Sequence, residues 1–269
     1  MQQGRYSRYA PVVMDASNFR STRISVTGSW WNISLAAQVF LRGRAIRFVF
    51  GGLLAGALVT PAIAQSTNAA SENPQQVFLS LLGTPSMGDP KARVAIVEFG
   101  DYQCPYCGEH ANHTLPQIVT DYVKTGKVRY FFKDFPIEAI HSQAFKAAEA
   151  ARCAGEQGKY WDMHDRLFKD QLIVIAHVAP AYALALGLDV PKFQQCLDND
   201  TYAPQIRKDL QEGRKLNVPG TPEFYLGTLD AQGSGMKVVS KLSGAFLYGA
   251  FQQLLDQMLS ASEGQKKNQ

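Results

Sequence analysis

Long apolar runs are scarce in this sequence of 269 residues, and most of it lacks a strong excess of either charge. The first scarcity excludes a multi-span membrane protein, and an apolar content of 46% excludes a disordered polymer. Seven of the 27 Lys and Arg residues, but one of the 23 Asp and Glu residues, lie in residues 1–64, so residues 65–269 carry a net charge of −2. We therefore expect no nucleic-acid partner, and the length suits one or two globular domains.

Residues 1–64 contain little acid and end in a pattern that is typical of secretory signals. Three arginines precede an apolar stretch at residues 48–59, and Ala62-Ile-Ala64 supplies an A-x-A ending. This pattern predicts a leader with a signal peptide that is cleaved after Ala64. The alternative is an uncleaved membrane anchor, which the shortness of the uncharged stretch and its glycines make less favourable.

Cysteine is also rare. The chain has four, all of them beyond the predicted leader: Cys104, Cys107, Cys153 and Cys196. Export would bring them into an oxidising compartment, in which cysteines pair. An even number fits two disulfides with three possible pairings, although Cys104 and Cys107 are too close in sequence to staple distant parts of the chain.

The first residues after the leader predict a linker followed by a βαβ unit. Residues 65–81 begin with a polar stretch and are interpreted as the linker. Within residues 82–140, short apolar runs at 94–99 and 128–132 favour strands. Residues 108–124 between them favour a helix that Pro116 kinks.

The remainder predicts a helical block and then the second half of a sheet domain. Residues 141–216 favour helix throughout, and the prolines and glycine at 219–222 end this block. Within it, Asp189-Val-Pro191 predicts the start of one helix, with the proline near its first turn. Strands are expected at 224–226 and 238–242, followed by an amphipathic helix, within a segment at 217–262. Residues 263–269 are left as a tail. The predicted class is therefore α/β, with a βαβ…ββα order around an inserted all-helical domain.

Cys104 and Cys107 form a C-x-x-C motif at the predicted turn from strand to helix, which is typical of a redox dithiol in an exported protein. Free N–H groups and the positive end of the helix dipole favour a thiolate at Cys104, so we expect a low pKa and a nucleophile there. Cys107, one turn further, is expected to be more buried and to act as the resolving thiol. A plain structural disulfide is the alternative.

His110 and His113 extend the motif to C-x2-C-x2-H-x2-H, which raises the alternative of a metal site. Each step of three residues turns a helix by about 300°, so His113 faces away from Cys104 and the four groups cannot meet one ion. Haem attachment needs His directly after the second Cys, where this chain has Gly108. We expect no metal, and we expect both histidines at the surface, with His110 near enough to tune the dithiol.

Four segments resemble the DsbA-like family of bacterial periplasmic thiol–disulfide oxidoreductases. They are V-E-F at 97–99 followed by C-P-Y-C, F-F-K-D-F-P at 131–136, C-A-G-E-Q-G-K-Y-W at 153–161 and V-P-G-T-P-E-F-Y at 218–225. The resemblance runs from about residue 82 to residue 259. It implies a thioredoxin fold, a helical insertion and a periplasmic location.

The resemblance also implies roles for residues outside the C-x-x-C motif. Thr221-Pro222 matches a loop with a cis proline, at which the Thr221 backbone would bind an extended substrate peptide as a short strand. A second, non-catalytic disulfide is implied between Cys153 and Cys196. The alternatives are an ordinary trans turn and two buried free thiols.

The same family often has a buried acid six positions before the first cysteine, where this chain has Glu98. Burial would raise the pKa of Glu98, which could then relay a proton to or from Cys107. The alternative is a solvent-facing carboxylate at a strand end. Lys133 is interpreted as an exposed strand-end lysine, with neutralisation of Glu98 as its alternative role.

The resemblance implies an enzyme that exchanges disulfides with secreted or periplasmic proteins, and we favour a disulfide donor. The Cys104–Cys107 disulfide would be the redox centre, so no prosthetic cofactor is expected. Turnover would need a membrane or soluble redox partner, which for an oxidant the resemblance implies to be a quinone-linked oxidase in the membrane. A monomer is expected, because too few residues separate Ala64 from the first strand to form the dimerisation domain of the isomerase-type members.

The direction of exchange stays open, because two features differ from the oxidant-type members of the family. Those members more often have Pro-His between the cysteines and Val before the cis proline, whereas this chain has Pro105-Tyr106 and Thr221. The first alternative is therefore a periplasmic disulfide reductase or isomerase. The second is a non-catalytic module whose thiols bind metal or assist folding as a chaperone.

Overall fold

The structure, a computed structural model, describes residues 76–171 and 175–267. The predicted leader, its apolar stretch and the cleavage site after Ala64 lie outside the described residues. So does the predicted linker up to residue 75. Along the two described ranges, no helix is both long enough and apolar enough to span a membrane.

A mixed sheet of six strands forms the centre of the described part of the chain. The strands are β1 (Phe78–Ser80), β2 (Ser86–Met87), β3 (Val94–Gly100), β4 (Val128–Asp134), β5 (Glu223–Leu229) and β6 (Gly235–Ser243). Their order across the sheet is β1-β6-β5-β3-β4-β2. β3 runs parallel to β4, and the other neighbouring pairs are antiparallel.

The central position of β3 follows from its composition. Its sequence, VAIVEFG, is nearly all apolar, and all seven residues are buried. Such a run can be buried on both faces of a sheet, whereas an alternating strand needs one face in water. Glu98 is the only ionisable residue in β3, and the strand ends at Gly100, four residues before Cys104.

The segment after the cysteines is helical but not a single regular helix. It consists of α1 (Pro105–Glu109), a π-helical turn (His110–Thr114), α2 (Leu115–Ile118) and a second π-helical turn (Val119–Val123). The predicted break at Pro116 is therefore present as wider turns on both sides of α2. Pro116 has no N–H to donate to the preceding turn, which explains why the regular hydrogen-bond pattern is interrupted here.

Five helices follow β4 and precede β5 along the described chain. They are α3 (Ala144–Gly155), α4 (Tyr160–Lys169), α5 (Ile175–Ala185), α6 (Val190–Asp198) and α7 (Ala203–Lys215). α6 begins as predicted, because Asp189 accepts a hydrogen bond from the N–H of Lys192 and Pro191 lies in the first turn. The helical block expected at residues 141–216 is thus observed as helices, and its limits as a domain stay a prediction.

A buried ion cluster ties these helices to the sheet. Arg152 of α3 pairs with Asp134 of β4 at 2.7 Å and with Asp209 of α7 at 2.6 Å. Lys133 of β4 pairs with Asp209 at 3.3 Å and with Glu212 at 2.7 Å. The expectation of an exposed Lys133 was wrong, since these two carboxylates compensate the charge that the buried strand end would otherwise leave unpaired.

Two predicted segment limits also need correction. The linker was expected to reach residue 81, but Phe78–Ser80 forms edge strand β1, in which Leu79 is buried opposite Met236 of β6. Three residues are too few for a periodic signal, so the pairing with β6 decides this strand. The tail was expected at residues 263–269, but α8 (Tyr248–Lys267) continues as far as residue 267.

Candidate active site

Cys104 lies at the start of α1, where it occupies the N-cap position with φ −70° and ψ 121°. Its backbone N–H donates to the carbonyl of Asp101 at 3.1 Å, which closes the turn after β3. Its sulfur lies 3.1 Å from the carbonyl oxygen of Thr221, to which the thiol donates when it is protonated. Cys104 itself is 5% exposed, whereas its neighbour Tyr106 is 68% exposed. A partner protein would therefore meet the exposed Tyr106 side chain before it reaches the buried Cys104.

The surroundings of Cys104 stabilise its thiolate. A hydrogen bond from the Cys107 thiol is the largest cause, and it lowers the pKa of Cys104 from 9.0 to about 5 although burial opposes the change. The Thr221 side chain and the backbone N–H groups of Cys107 and Tyr106 lower the pKa further. The Thr221 hydroxyl is buried and has no other partner among the described residues, so it is free to donate to a thiolate. At neutral pH the Cys104 sulfur is thus an anion.

Cys107 has the opposite character. It is completely buried, and burial raises its pKa well above the usual value of 9.0. The hydrogen bond to Cys104 and the negative charges of Glu98 and Cys104 raise the pKa further. The site therefore holds one thiolate and one thiol in contact, both as free cysteines. This asymmetry gives a nucleophile at Cys104 and a protonated resolving thiol at Cys107.

Gln171, which the sequence analysis missed, holds the backbone of the cysteine loop. Its side-chain amide donates to the carbonyls of Tyr102 at 2.9 Å and Cys104 at 2.8 Å. It occupies the space beside Gly108, where an added Cβ would lie 2.1 Å from the Gln171 Oε1 atom. A glycine directly after Cys107 in a helix was the available signal, because glycine is a poor helix former and needs a packing reason there.

Asp101 anchors the other side of the same loop. Its Oδ2 atom accepts hydrogen bonds from the backbone N–H of Ile137 at 2.8 Å and from His141 Nδ1 at 2.8 Å. Its Oδ1 atom accepts from the backbone N–H of Gln103 at 2.8 Å. The loop between β3 and α1 is thus fixed from both sides.

Thr221 and Pro222 lie in the loop between α7 and β5, and the bond between them is cis. The carbonyl of Pro222 accepts a hydrogen bond from Gly244 N–H at 2.8 Å. A shallow groove of 250 Å³ runs along this loop, between residues 219–223 and the end of β6. The structure brings Thr221 into contact with the cysteine motif although 117 positions separate it from Cys104.

Glu98 lies beneath the cysteines on β3 and is 1% exposed. Burial raises the pKa of Glu98 from 4.5 to about 8, against the opposing hydrogen bond from Tyr130, and the charge of Cys104 raises it further. Glu98 does not face solvent, and Lys133 pairs elsewhere. Glu98 can therefore gain or lose a proton close to neutral pH, where disulfide exchange takes place.

His110 is completely buried, so the expectation of a surface histidine was wrong. Its ring packs at 4.4 Å from the ring of Phe224 and at 5.3 Å from that of Phe251, measured between centroids. Burial lowers the pKa of His110 from 6.5 to about 3, so the ring is neutral. The signal was available, since residues 107, 110, 114 and 118 recur at helical spacing and all four are buried.

His113 behaves as predicted and is exposed, at 3.7 Å from Glu109. Across residues 76–171 and 175–267, no group of three or more His, Cys, Asp or Glu side chains is arranged to hold a metal ion. The remaining cysteines, Cys153 of α3 and Cys196 of α6, form a disulfide with a Cα–Cα distance of 5.8 Å.

Fold and site together define a thioredoxin-fold protein with a dithiol at the start of a helix. A family model described as "Thioredoxin" matches residues 80–234, more than half of the sequence. The chain therefore belongs to this thioredoxin family.

Among solved structures, the chain is similar to alpha-DsbA1 from Wolbachia pipientis, with a TM-score of 0.60 and 22% identity over 70% of this chain and 96% of that chain. It is 29% identical over 168 residues to disulfide bond formation protein D of Bacillus subtilis, and the aligned region covers 60% of this chain and 73% of that protein. The predicted DsbA-like thioredoxin fold with a helical insertion is confirmed.

Another similar protein carries a different name. The chain is 36% identical over 151 residues to the Na(+)/H(+) antiporter NhaA 1 of Salinispora arenicola, which covers 55% of this chain and 22% of the antiporter. The chain thus spans about a fifth of the length of the antiporters that it matches. A match of that extent does not carry the antiporter's activity to this chain.

Proposed function

We propose that this chain is an exported protein thiol–disulfide oxidoreductase that donates the Cys104–Cys107 disulfide to secreted or periplasmic proteins. The observation that carries the proposal is the contact between a stabilised Cys104 thiolate and a buried, protonated Cys107. A thiol with a low pKa is a good leaving group. When a second substrate thiolate attacks the mixed disulfide, Cys104 therefore leaves readily as a thiolate and the substrate keeps the new disulfide.

Donation proceeds in two exchanges. A substrate thiolate attacks the Cys104 sulfur of the disulfide, forms a mixed disulfide, and expels Cys107, which takes up a proton. A second substrate thiolate then attacks the substrate sulfur of the mixed disulfide, forms the substrate's own disulfide, and expels Cys104 as a thiolate. Two electrons pass from the substrate to the protein, and no prosthetic group takes part. Glu98 is the proposed source of the proton for Cys107, because its charge acts on that thiol.

We assign Thr221 and Pro222 to substrate binding. The Thr221 carbonyl oxygen lies 3.1 Å from the Cys104 sulfur, so a chain lying along this loop would have its own sulfur within reach of the exchange. An extended peptide can bind there by backbone hydrogen bonds, largely independently of its side chains. This mode of binding suits an enzyme that acts on many unfolded substrates.

The predicted signal peptide supports export to the periplasm, and the relatives support a function in disulfide formation, because one of them is named for it. In the periplasm the reduced protein would need to be reoxidised after each donation. We propose a membrane or soluble redox partner for this step and a monomeric donor. The Cys153–Cys196 disulfide is assigned a structural role, since it joins two helices of the insertion.

The pKa of Cys104 supports donation over reduction. Lowering this pKa from 9.0 to about 5 stabilises the reduced form about 100-fold at pH 7, which makes the disulfide more oxidising by about 60 mV. A reductase or isomerase is the second candidate, favoured by Pro105-Tyr106 and by Thr221 before the cis proline.

The reduction potential, measured by equilibration with glutathione, separates the two candidates. If the protein is a disulfide donor, its reduction potential should lie well above that of thioredoxin, which is about −270 mV. A value near that of thioredoxin would exclude the donor. Cys104→Ser should abolish both the oxidation of reduced ribonuclease and the reduction of insulin, and activity retained in both assays would refute the assignment of the nucleophile.

A further inference from the structure

We propose that Tyr130 and His110 are positioning residues that hold one oxygen of Glu98 and leave the other free to exchange a proton with Cys107. This inference rests on the proposed function, because it concerns the proton that accompanies disulfide exchange. It assigns roles to two buried residues that neither the cysteine motif nor the substrate loop uses.

The three side chains form a buried chain of hydrogen bonds. The Tyr130 hydroxyl donates to Glu98 Oε2, and the same hydroxyl lies 3.0 Å from His110 Nε2. Tyr130 and His110 are completely buried, and Glu98 nearly so. Tyr130 belongs to β4, His110 to the turn after α1, and Glu98 to β3. These hydrogen bonds therefore connect the sheet to the helical segment that carries Cys107.

The number of available protons determines which group donates and which accepts in each of these hydrogen bonds. The Tyr130 hydroxyl has one proton, and that proton goes to Glu98 Oε2 when the carboxyl is ionised. The hydroxyl oxygen must then accept from His110, so the imidazole carries its proton on Nε2. His110 Nδ1 has no partner among the described residues, and a neutral ring with a bare Nδ1 therefore fits better than one protonated there.

The other carboxyl oxygen is left free. Glu98 Oε1 is buried and has no hydrogen-bond partner in the described part of the chain. It lies beside Gly100, where an added Cβ would be 3.1 Å away, and Gly100 precedes Asp101, whose backbone bonds to Cys107. Oε1 is thus the carboxyl oxygen that is available to bind a proton, and Glu98 is close enough to Cys107 for its charge to raise the pKa of that thiol.

Other groups around Glu98 do not compete for this proton. Its neighbours in the sheet register are Phe132 of β4 and Phe224 of β5, which do not titrate. The titratable groups that face it are Cys107, Cys104, Tyr130 and His110.

The balanced step is a proton transfer coupled to exchange. When Cys107 resolves a mixed disulfide, its thiol passes a proton to Glu98 Oε1, its sulfur bonds to the Cys104 sulfur, and the substrate's sulfur leaves as a thiolate. When Cys107 is expelled during donation, the same proton returns from Oε1 to the Cys107 sulfur. Tyr130 and His110 do not change their protonation in either direction.

The test is the titration of the Glu98 carboxyl in the reduced full chain, followed by NMR of ¹³C-labelled glutamate. Tyr130→Phe removes the donor that favours the carboxylate, so the pKa of Glu98 should rise by about one pH unit above its parent value. His110→Leu should raise it by less, because Tyr130 remains, and His110→Gln should restore it, because an amide can still donate to the hydroxyl.

His113→Leu is the matched control, since His113 is an exposed histidine of the same motif, and it should leave the titration unchanged. The pH profile for resolution of a mixed disulfide by Cys107 should move together with the Glu98 titration in each variant. A Tyr130→Phe protein with an unchanged titration would overturn the proposal, and so would equal shifts in the His110→Leu and His113→Leu proteins. If Tyr130→Phe does not fold, the two His110 variants decide alone. The carboxyl titration needs no substrate, so failure of the exchange activity would be visible separately.

Discussion

Replacing Cys107 by alanine tests the central electrostatic argument, because the Cys107 thiol is the largest cause of the low pKa of Cys104. Hydrogen bonds to charged groups contribute about 1.5–3 kcal/mol, and about 1.4 kcal/mol corresponds to one pH unit. Cys107→Ala should therefore raise the pKa of Cys104 from about 5 by about 1–2 pH units. It should not reach 9.0, because the Thr221 side chain and the backbone N–H groups remain.

The assay follows the ultraviolet absorbance of the thiolate during a pH titration of the reduced protein. At pH 6 about 90% of the parent Cys104 should be ionised, compared with about half or less in Cys107→Ala. Alkylation of Cys104 at the same pH should slow in proportion to the thiolate fraction.

Cys107→Ser is the matched control, because its hydroxyl can still donate to the Cys104 sulfur. Its pKa for Cys104 should lie between the parent and Cys107→Ala values. If the titration of Cys107→Ala coincided with that of the parent, the start of the helix alone would account for the thiolate, and the argument from the thiol pair would be refuted.

Three further predictions concern the redox potential, the loop and the fold. Below the pKa of Cys104, reduction takes up two protons, so the reduction potential should fall by about 59 mV per pH unit. Between that pKa and pH 7 reduction takes up one proton, and the slope should be about 30 mV per pH unit. A constant slope of about 59 mV per pH unit up to pH 7 would show that the pKa of Cys104 is not lowered. Gly108→Ala should destabilise the parent protein by about 1 kcal/mol, because the new methyl group displaces the Gln171 amide. In a Gln171→Ala background the same change should stabilise the protein by about 1 kcal/mol, because alanine is the better helix former. Equal effects of Gly108→Ala on urea unfolding in both backgrounds would contradict the contact between Gly108 and Gln171. Asp209→Ala should lower the free energy of unfolding by about 3–5 kcal/mol, because Arg152 loses a buried partner, and a loss below about 1 kcal/mol in the same assay would show that the cluster is solvated.

The features predicted correctly from the sequence are those with a local physical cause. β3 is a long apolar run that only a buried central strand accommodates, and Asp189 before Pro191 marks the start of α6. The position of Cys104 at a helix N-terminus follows from the turn between β3 and α1. The loop at Thr221 was identified through resemblance, since nothing local connects it to the cysteines.

The features that were missed depend on partners far away in the sequence. The burial of Lys133 depends on two carboxylates of α7, and the role of Gln171 depends on the space above Gly108. The surface position predicted for His110 was wrong for the same reason. The buried positions of the helical segment continue through His110, and the polar partner that allows a histidine there is Tyr130 of β4.

These distant contacts affect how well the site can work, because the side chain of Thr221, 117 positions away, helps to lower the pKa of Cys104. The whole helical block lies between Cys104 and Thr221 in the sequence, so we expect a shift of that block against the sheet to move one of the donors, Thr221, away from the Cys104 sulfur. Arg152 fixes α3 to β4 and α7, and Gln171 fixes the end of α4 to the cysteine loop. The buried charges of the insertion thus serve the chemistry indirectly, since loosening them should raise the pKa of Cys104 before it unfolds the protein. Measuring that pKa in Asp209→Ala under conditions where the variant remains folded would separate this effect from simple destabilisation, and an unchanged pKa would show that the loop before β5 keeps its place without the cluster.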